Sequence, residues 1–224
     1  MPGISAVLLP EVIDPQFVAG LTRALPPFAR QEIEAYVHEE DQLRSALGKW
    51  LIHACVAGGM GLPSETLAAW KTDPYGRPSL PGRPAFNLTH SGRVVALAYR
   101  LPDEQNAALG LDVERIKRLD FELFGPYMSE PEWREIRTAE DPETRFFHFW
   151  TAKEAVMKAE GLGFHLPIED IHVKGPLARV KGRVWHLHPL DLKTGYAAHL
   201  ATPEVPSAPA VQWLDAEAWL GATA

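Results

Sequence analysis

Apolar positions along the chain follow two rhythms, a period of two that marks strands and a period near 3.6 that marks helices. Ala6 to Leu9 forms a short apolar strand candidate. Asp14-Pro15 reads as an N-cap followed by a first helical residue. Pro26-Pro27 interrupts the pattern. Leu43, Leu47, Leu51 and Ala54 then recur at helical spacing and predict a helix from Glu39 to Ala57, stopped by Gly58-Gly59. Pro74 to Pro78 is a turn, and Arg93 to Arg100 carries Val94, Val95, Leu97 and Tyr99 as a strand.

The second half repeats this order. A helix begins near Ser129, and another runs from Pro142 to Glu160 with Asp141 as its cap and Gly161 as its end. Arg183 to His188 alternates, and Tyr196 to Ala201 resembles the Arg93 strand. Helix-then-strands occurring twice predicts an α+β fold, sandwich-like, of two similar subdomains. Pro102 to Asn106 is the linker candidate, giving subdomains over 1–105 and 106–224. The tail after about residue 203, rich in Pro and Ala, is expected to be peripheral.

The 224 residues, 46% hydrophobic and 23% charged, suit one large globular domain or two small ones. No apolar stretch is long enough for a bilayer, and Met1 to Ser5 shows no basic start of a secretion signal. Cys55 alone excludes an internal disulfide and a cysteine zinc site, and points to the cytoplasm. A net charge of −7 argues against nucleic acid as a partner. It does not argue against small anions, which respond to local charge.

Chemistry enters at three stretches. Asp112 and Glu114 share one face of a strand candidate, with Leu111 and Val113 on the other. Trp150, Lys153, Glu154, Met157 and Lys158 share one side of a helix. If strand and helix meet, three carboxylates converge beside an ammonium, and a hard divalent cation takes oxygen ligands of that kind. Plainer readings stand beside this one. Glu154 and Lys158 at i, i+4 make a surface pair of about 0.2–0.5 kcal/mol. Asp112 and Glu114 fit the solvent face of an edge strand, although like charges two apart repel unless a cation lies between them. Thr89, His90 and Ser91 offer phosphate donors or simply a capped turn, and Arg77 adds a permanent charge. Ser129-Glu130-Pro131-Glu132 fits a capping box, so Glu132 has a structural role open to it as well as a catalytic one. Walker A, Gly-x-Gly-x-x-Gly and His-Glu-x-x-His signatures are absent.

Together, Phe86 to Gly92, Gly110 to Glu114 and Trp150 to Lys158 resemble, in order and separation, the 4′-phosphopantetheinyl transferases of the longer, surfactin-synthetase-activating type. The resemblance extends over Glu39 to Gly48 and the Tyr75-Gly76-Arg77-Pro78 turn. It implies two α/β halves about a pseudo-twofold axis in a monomer. It also implies an enzyme that moves 4′-phosphopantetheine from coenzyme A to a serine of an apo acyl or peptidyl carrier protein, with release of 3′,5′-ADP. By resemblance Asp112, Glu114 and Glu154 hold Mg²⁺. Lys158 meets the phosphates and the leaving group, with Lys153 assisting. Arg77, Thr89 and His90 bind the 3′-phosphate, Arg44 and Ser45 lie near the adenine and its ribose phosphate, and Glu132 is the base for the serine. Two departures stand out: Thr89 replaces the commoner serine, and Phe28 to Glu32 offers only Arg30 where lysines are frequent. A non-catalytic module binding coenzyme A or a nucleotide is the alternative. Arg115, Lys117 and Arg118 are docking candidates for an acidic carrier.

Overall fold

A computed structural model describes residues 2–58, 63–100, 108–205 and 209–215. Chain order gives β1 (Gly3–Leu8), α1 (Pro15–Arg23), α2 (Pro27–Glu34), α3 (Glu39–Cys55), α4 (Pro63–Thr66), the two-residue strands β2 (Lys71–Thr72) and β3 (Pro78–Ser79), β4 (Phe86–Ser91) and β5 (Val94–Tyr99). The second half follows with β6 (Gly110–Arg115), a 3-10 segment (Phe121–Tyr127), α5 (Glu130–Thr138), α6 (Pro142–Glu160), β7 (His172–Lys174), β8 (Leu177–Val180), β9 (Arg183–Pro189), β10 (Tyr196–Thr202) and β11 (Val211–Leu214).

Helix ends form where local chemistry calls for them. The Asp14 side chain accepts from Gln16 N, with Pro15 in the first turn. Asp141 accepts from Thr144 N, and Gly161 closes α6 with φ 71°, a left-handed conformation that costs glycine little. Pro26-Pro27 interrupts the pattern but does not prevent a helix. Pro27 opens α2, where a missing N–H has no intrahelical partner to lose. Phe86 to Ser91 is a strand and not a turn; the turn is made by Gly92, at φ 52°.

Two larger sheets result, ordered β11-β1-β5-β4 and β6-β10-β9-β8-β7. In each half the opening strand pairs antiparallel with a late one, β1 with β5 and β6 with β10. Helix α3 packs on the first sheet and α6 on the second. The doubled order read from sequence is present in this form. The tail is less peripheral than expected. Val211 to Leu214 pairs in parallel with Ile4 to Val7, so the chain end joins the sheet of the first half. It occupies the edge of β1, whose backbone groups would otherwise lack partners. The linker candidate, Pro102 to Asn106, lies outside the described residues.

One apolar cluster unites the halves. Ile4, Ala6, Val94, Ala96 and Ala98 from the first sheet pack with Leu111, Val113 and Leu200 from the second. Helix α6 is buried on most of its sides. Ala152, Ala155, Val156 and Ala159 face the second sheet, while Phe146, Phe147 and Phe149 join Trp133 and Ile136 of α5.

Candidate functional site

The two sheets meet along β4 and β6, and side chains make the seam. The backbone N–H groups of Leu111, Val113 and Arg115 donate to Asn87 Oδ1 (2.8 Å), Thr89 Oγ1 (3.3 Å) and Ser91 Oγ (3.0 Å). Alternate residues of β4 thus supply the acceptors a neighbouring strand would otherwise give. The same hydroxyls turn to the acids. Thr89 Oγ1 donates to Asp112 Oδ1 at 3.1 Å, and Ser91 Oγ donates to Glu114 Oε2 at 2.7 Å.

Helix α6 closes the site from above. Gly110 permits this contact, because a Cβ there would stand 1.9 Å from Ala155 O and 2.5 Å from Ala159 N. The approach brings Glu154 and Lys158 over β6. Lys158 Nζ donates to Asp112 Oδ1 (2.7 Å), Thr89 Oγ1 (3.2 Å) and Leu111 O (3.2 Å). Asp112 is buried, and its second oxygen, Oδ2, has no hydrogen-bond partner.

Charge is unbalanced here. Burial pushes the Glu154 carboxyl up to about 7, with the Asp112 and Glu114 charges adding and Lys158 opposing. Burial also raises Asp112, against the pull of Lys158, and raises Glu114, with the Asp112 charge adding. Asp112, paired with Lys158 and keeping one buried oxygen unpartnered, feels the charges of Glu114 and Glu154, and carboxylates are the donors a hard divalent cation takes. Among the described residues, no three His, Cys, Asp or Glu side chains are drawn together as a ready-made ion cage.

The other residues singled out from sequence divide. His90 is exposed beside this site, and its pKa is lowered by desolvation and then by the Arg44 and Lys158 charges, with the Asp41 charge opposing. Arg77 reaches across from the first half to the end of α6, its NH1 lying 3.0 Å from where a Cβ on Gly161 would be. Thr89 is buried in the seam, its hydroxyl engaged with Asp112, Val113 and Lys158. Arg44 is held by Glu40 and Asp41, each at 2.5 Å, and donates to Gly92 O at 2.6 Å. Ser45 is buried and accepts from Lys49 Nζ.

Glu132 and Lys153 pair with each other, not with the acidic cluster. Lys153 is fully buried; its Nζ lies 2.9 Å from Glu132 Oε2 and donates to Tyr127 O at 2.8 Å. Glu132 Oε2 also accepts from Ser129 N (2.7 Å), and Oε1 accepts from Val173 N (3.0 Å). The capping box is present in full. These bonds of Glu132 tie α5, α6 and β7 together.

Sequence reasoning passed over Asn87, and it read Ser91 as a phosphate donor or part of a capped turn rather than as a partner of Glu114 and of Arg115 N. Their signal was the period-two run Asn87-x-Thr89-x-Ser91, one polar face of a strand.

Residues 108–201 match the family described as the 4′-phosphopantetheinyl transferase superfamily. That span holds Asp112, Glu114, Glu132, Lys153, Glu154 and Lys158. The chain is 30% identical over 154 residues to the 4′-phosphopantetheinyl transferase Sfp of Bacillus subtilis, covering 67% of this chain and 66% of that one. It is 29% identical over 169 residues to the 4′-phosphopantetheinyl transferase gsp of Aneurinibacillus migulanus, covering 75% and 69%. With the 4′-phosphopantetheinyl transferase pptA of Paxillus involutus the identity is 30% over 185 residues, covering 68% and 70%. The chain thus spans about two thirds of the length of these relatives.

Proposed function

The chain belongs to the 4′-phosphopantetheinyl transferase superfamily, and from this we propose that it transfers 4′-phosphopantetheine from coenzyme A to a serine of an apo acyl or peptidyl carrier protein. The acceptor hydroxyl attacks the β-phosphorus of the pyrophosphate. A serine O–P bond forms, the bond to the bridging oxygen breaks, and 3′,5′-ADP leaves as the serine proton is lost.

The observation that carries this reading is the unpartnered, buried Asp112 Oδ2 within an acidic set facing one ammonium. Asp112, Glu114 and Glu154 are the residues that would hold Mg²⁺. When bound, such an ion supplies positive charge beside phosphate oxygens, where charge develops during displacement. Lys158 holds Asp112 in place and brings a cation to the same spot. His90, exposed at the site, and Arg77, at the end of α6, would meet the 3′-phosphate of coenzyme A in this reading. Arg44 and Ser45 would lie near the adenine and its ribose phosphate, although the bonds they make here are within α3 and to Gly92. Glu132, the base candidate, already accepts from Ser129 N and Val173 N and pairs with Lys153, so a positioning role is open to it beside the catalytic one.

Arg115, Lys117 and Arg118, at and after the end of β6, offer an acidic carrier a basic approach beside the site. Among the described residues no helix is long and apolar enough to cross a membrane. A cytoplasmic monomer fits the rest of this reading. A non-catalytic binding module is disfavoured because mere binding does not require Asp112, Glu114, Glu154 and Lys158 together.

The test is mass spectrometry of a panel of apo carrier proteins incubated with this chain, coenzyme A and Mg²⁺. Gain of one phosphopantetheine on an acceptor serine is expected, with relative rates ranking the carriers. An unmodified panel, under conditions where a known transferase modifies it, would remove the reading.

A further inference from the structure

Helix α6 presents a second stripe of residues, Arg145, His148, Phe149 and Ala152, at i, i+3, i+4 and i+7. Arg145 and Glu154 are about two and a half turns apart, so this stripe faces away from the acidic site. It lines a cleft of about 380 Å³ together with Val173, Leu187 and His199. Small-molecule sites begin at roughly 300 Å³, are mostly apolar, and carry few polar groups. None of the cleft's residues belongs to the acidic cluster.

His199 is the informative group. It projects from β10, is only 7% exposed, and its Nδ1 lies 2.8 Å from Thr151 Oγ1. Thr151 has one hydroxyl proton and directs it to Phe147 O at 2.8 Å. With the hydroxyl proton on that helical back-bond, the Thr151 oxygen accepts from His199 and Nδ1 carries the imidazole proton, an assignment made from the hydrogen-bond pattern. Nε2 keeps a lone pair, and none of the described residues bonds to it. His199 is one of the residues that line the cleft. Burial keeps this imidazole uncharged, down to about 3.

The surroundings narrow the occupant. His148 stands edge-on to His199, ring centres 5.6 Å apart. The Arg145 guanidinium lies over Phe149 at 4.6 Å and pairs with Glu135, so its charge is already matched. A cation would meet Arg145. An anion would meet the lone pair of His199 and an arginine that is already paired. A purely apolar guest would cover Nε2 and leave an acceptor without a donor.

We propose that this cleft binds a small neutral aromatic alcohol of the phenol class, its hydroxyl donating to His199 Nε2 and its ring lying against Phe149, Val173 and Leu187. The inference is independent of the transfer reaction.

The test is fluorine NMR of 4-fluorophenol titrated with the full chain, beside fluorobenzene and 4-fluorobenzoate. Saturable binding of the phenol is expected. Fluorobenzene should bind about fivefold more weakly, the worth of one hydrogen bond near 1 kcal/mol. His199→Phe keeps an aromatic ring but removes the acceptor, and it should abolish that preference. Val173→Phe, on β7, fills the cleft and should block binding even if His199→Phe does not fold. The proposal is overturned by absent saturation, by equal affinity for phenol and fluorobenzene in the parent chain, by tighter binding of the benzoate, or by undiminished binding to Val173→Phe.

Discussion

Gly110 lies directly beneath the backbone of Ala155, so that a single added methyl would come within 1.9 Å of the Ala155 carbonyl oxygen. The contact is backbone to backbone, and no side chain can rotate away to relieve it. Glu154, next to Ala155, depends on this approach for its place among Asp112, Glu114 and Lys158. Gly110→Ala should therefore displace α6 and cost about 1–3 kcal/mol or more, in the range of overpacked cores. Chemical denaturation measures the loss. An unchanged midpoint would mean that α6 does not rest on β6 as described.

The raised Glu154 carboxyl makes stability depend on pH in a set direction. Its folded value, about 7, lies above the ordinary glutamate value of 4.5, so the native state holds the extra proton between them. Stability of the metal-free chain should fall as pH rises through that window. Mg²⁺ competes with the proton, so the stabilisation it gives should grow with pH over the same interval. Thermal melts with and without Mg²⁺ test both slopes, and Glu154→Gln should flatten them. A shift in midpoint that ignores pH would contradict the assignment.

The buried pair of Glu132 and Lys153 gives a different expectation. Glu132→Gln keeps an acceptor for the helix cap but leaves the fully buried Lys153 ammonium without its counter-charge. Breaking such a pair costs roughly 3–5 kcal/mol. The variant should be destabilised on that scale in urea. A stable Glu132→Gln that has lost only its rate of transfer would instead mark Glu132 as a base.

Thr89→Val removes one hydroxyl and three bonds at the seam. Val113 N–H loses its acceptor, and Asp112 and Lys158 each lose a partner. A stability loss of about 1–3 kcal/mol is expected for the orphaned donor. Thr89→Ser keeps the oxygen and should restore most of it. Amide exchange at Val113 reports the bond directly, and protection unchanged in the valine variant would count against the seam.

What was legible in the sequence was local. Helix α6 has Asp141 and Gly161 at its two ends as expected, because a cap and a left-handed glycine act over a few residues. The alternation of Asp112 and Glu114 placed them on one face without knowledge of the partner strand. The pairing of Arg44 with Glu40 and Asp41 was open to the same reasoning, at i+4 and i+3, and was passed over in favour of a ligand role. Long-range pairings were not legible. Nothing near Val211 announces that it will lie beside Ile4, and nothing near Lys153 announces Glu132. The polar run from Asn87 to Ser91 resembled a donor turn because its apolar alternates are few. Its acceptors serve a strand more than twenty residues later in the chain.

The central claim is that the acidic cluster between β6 and α6 supports phosphopantetheine transfer, and Glu154→Ala tests it most directly. Alanine is a good helix former, so α6 should persist. Intact-mass analysis of an apo carrier with coenzyme A and Mg²⁺ should show full modification by the parent chain and none by the folded variant. Equal modification by both, with circular dichroism unchanged, would contradict the account.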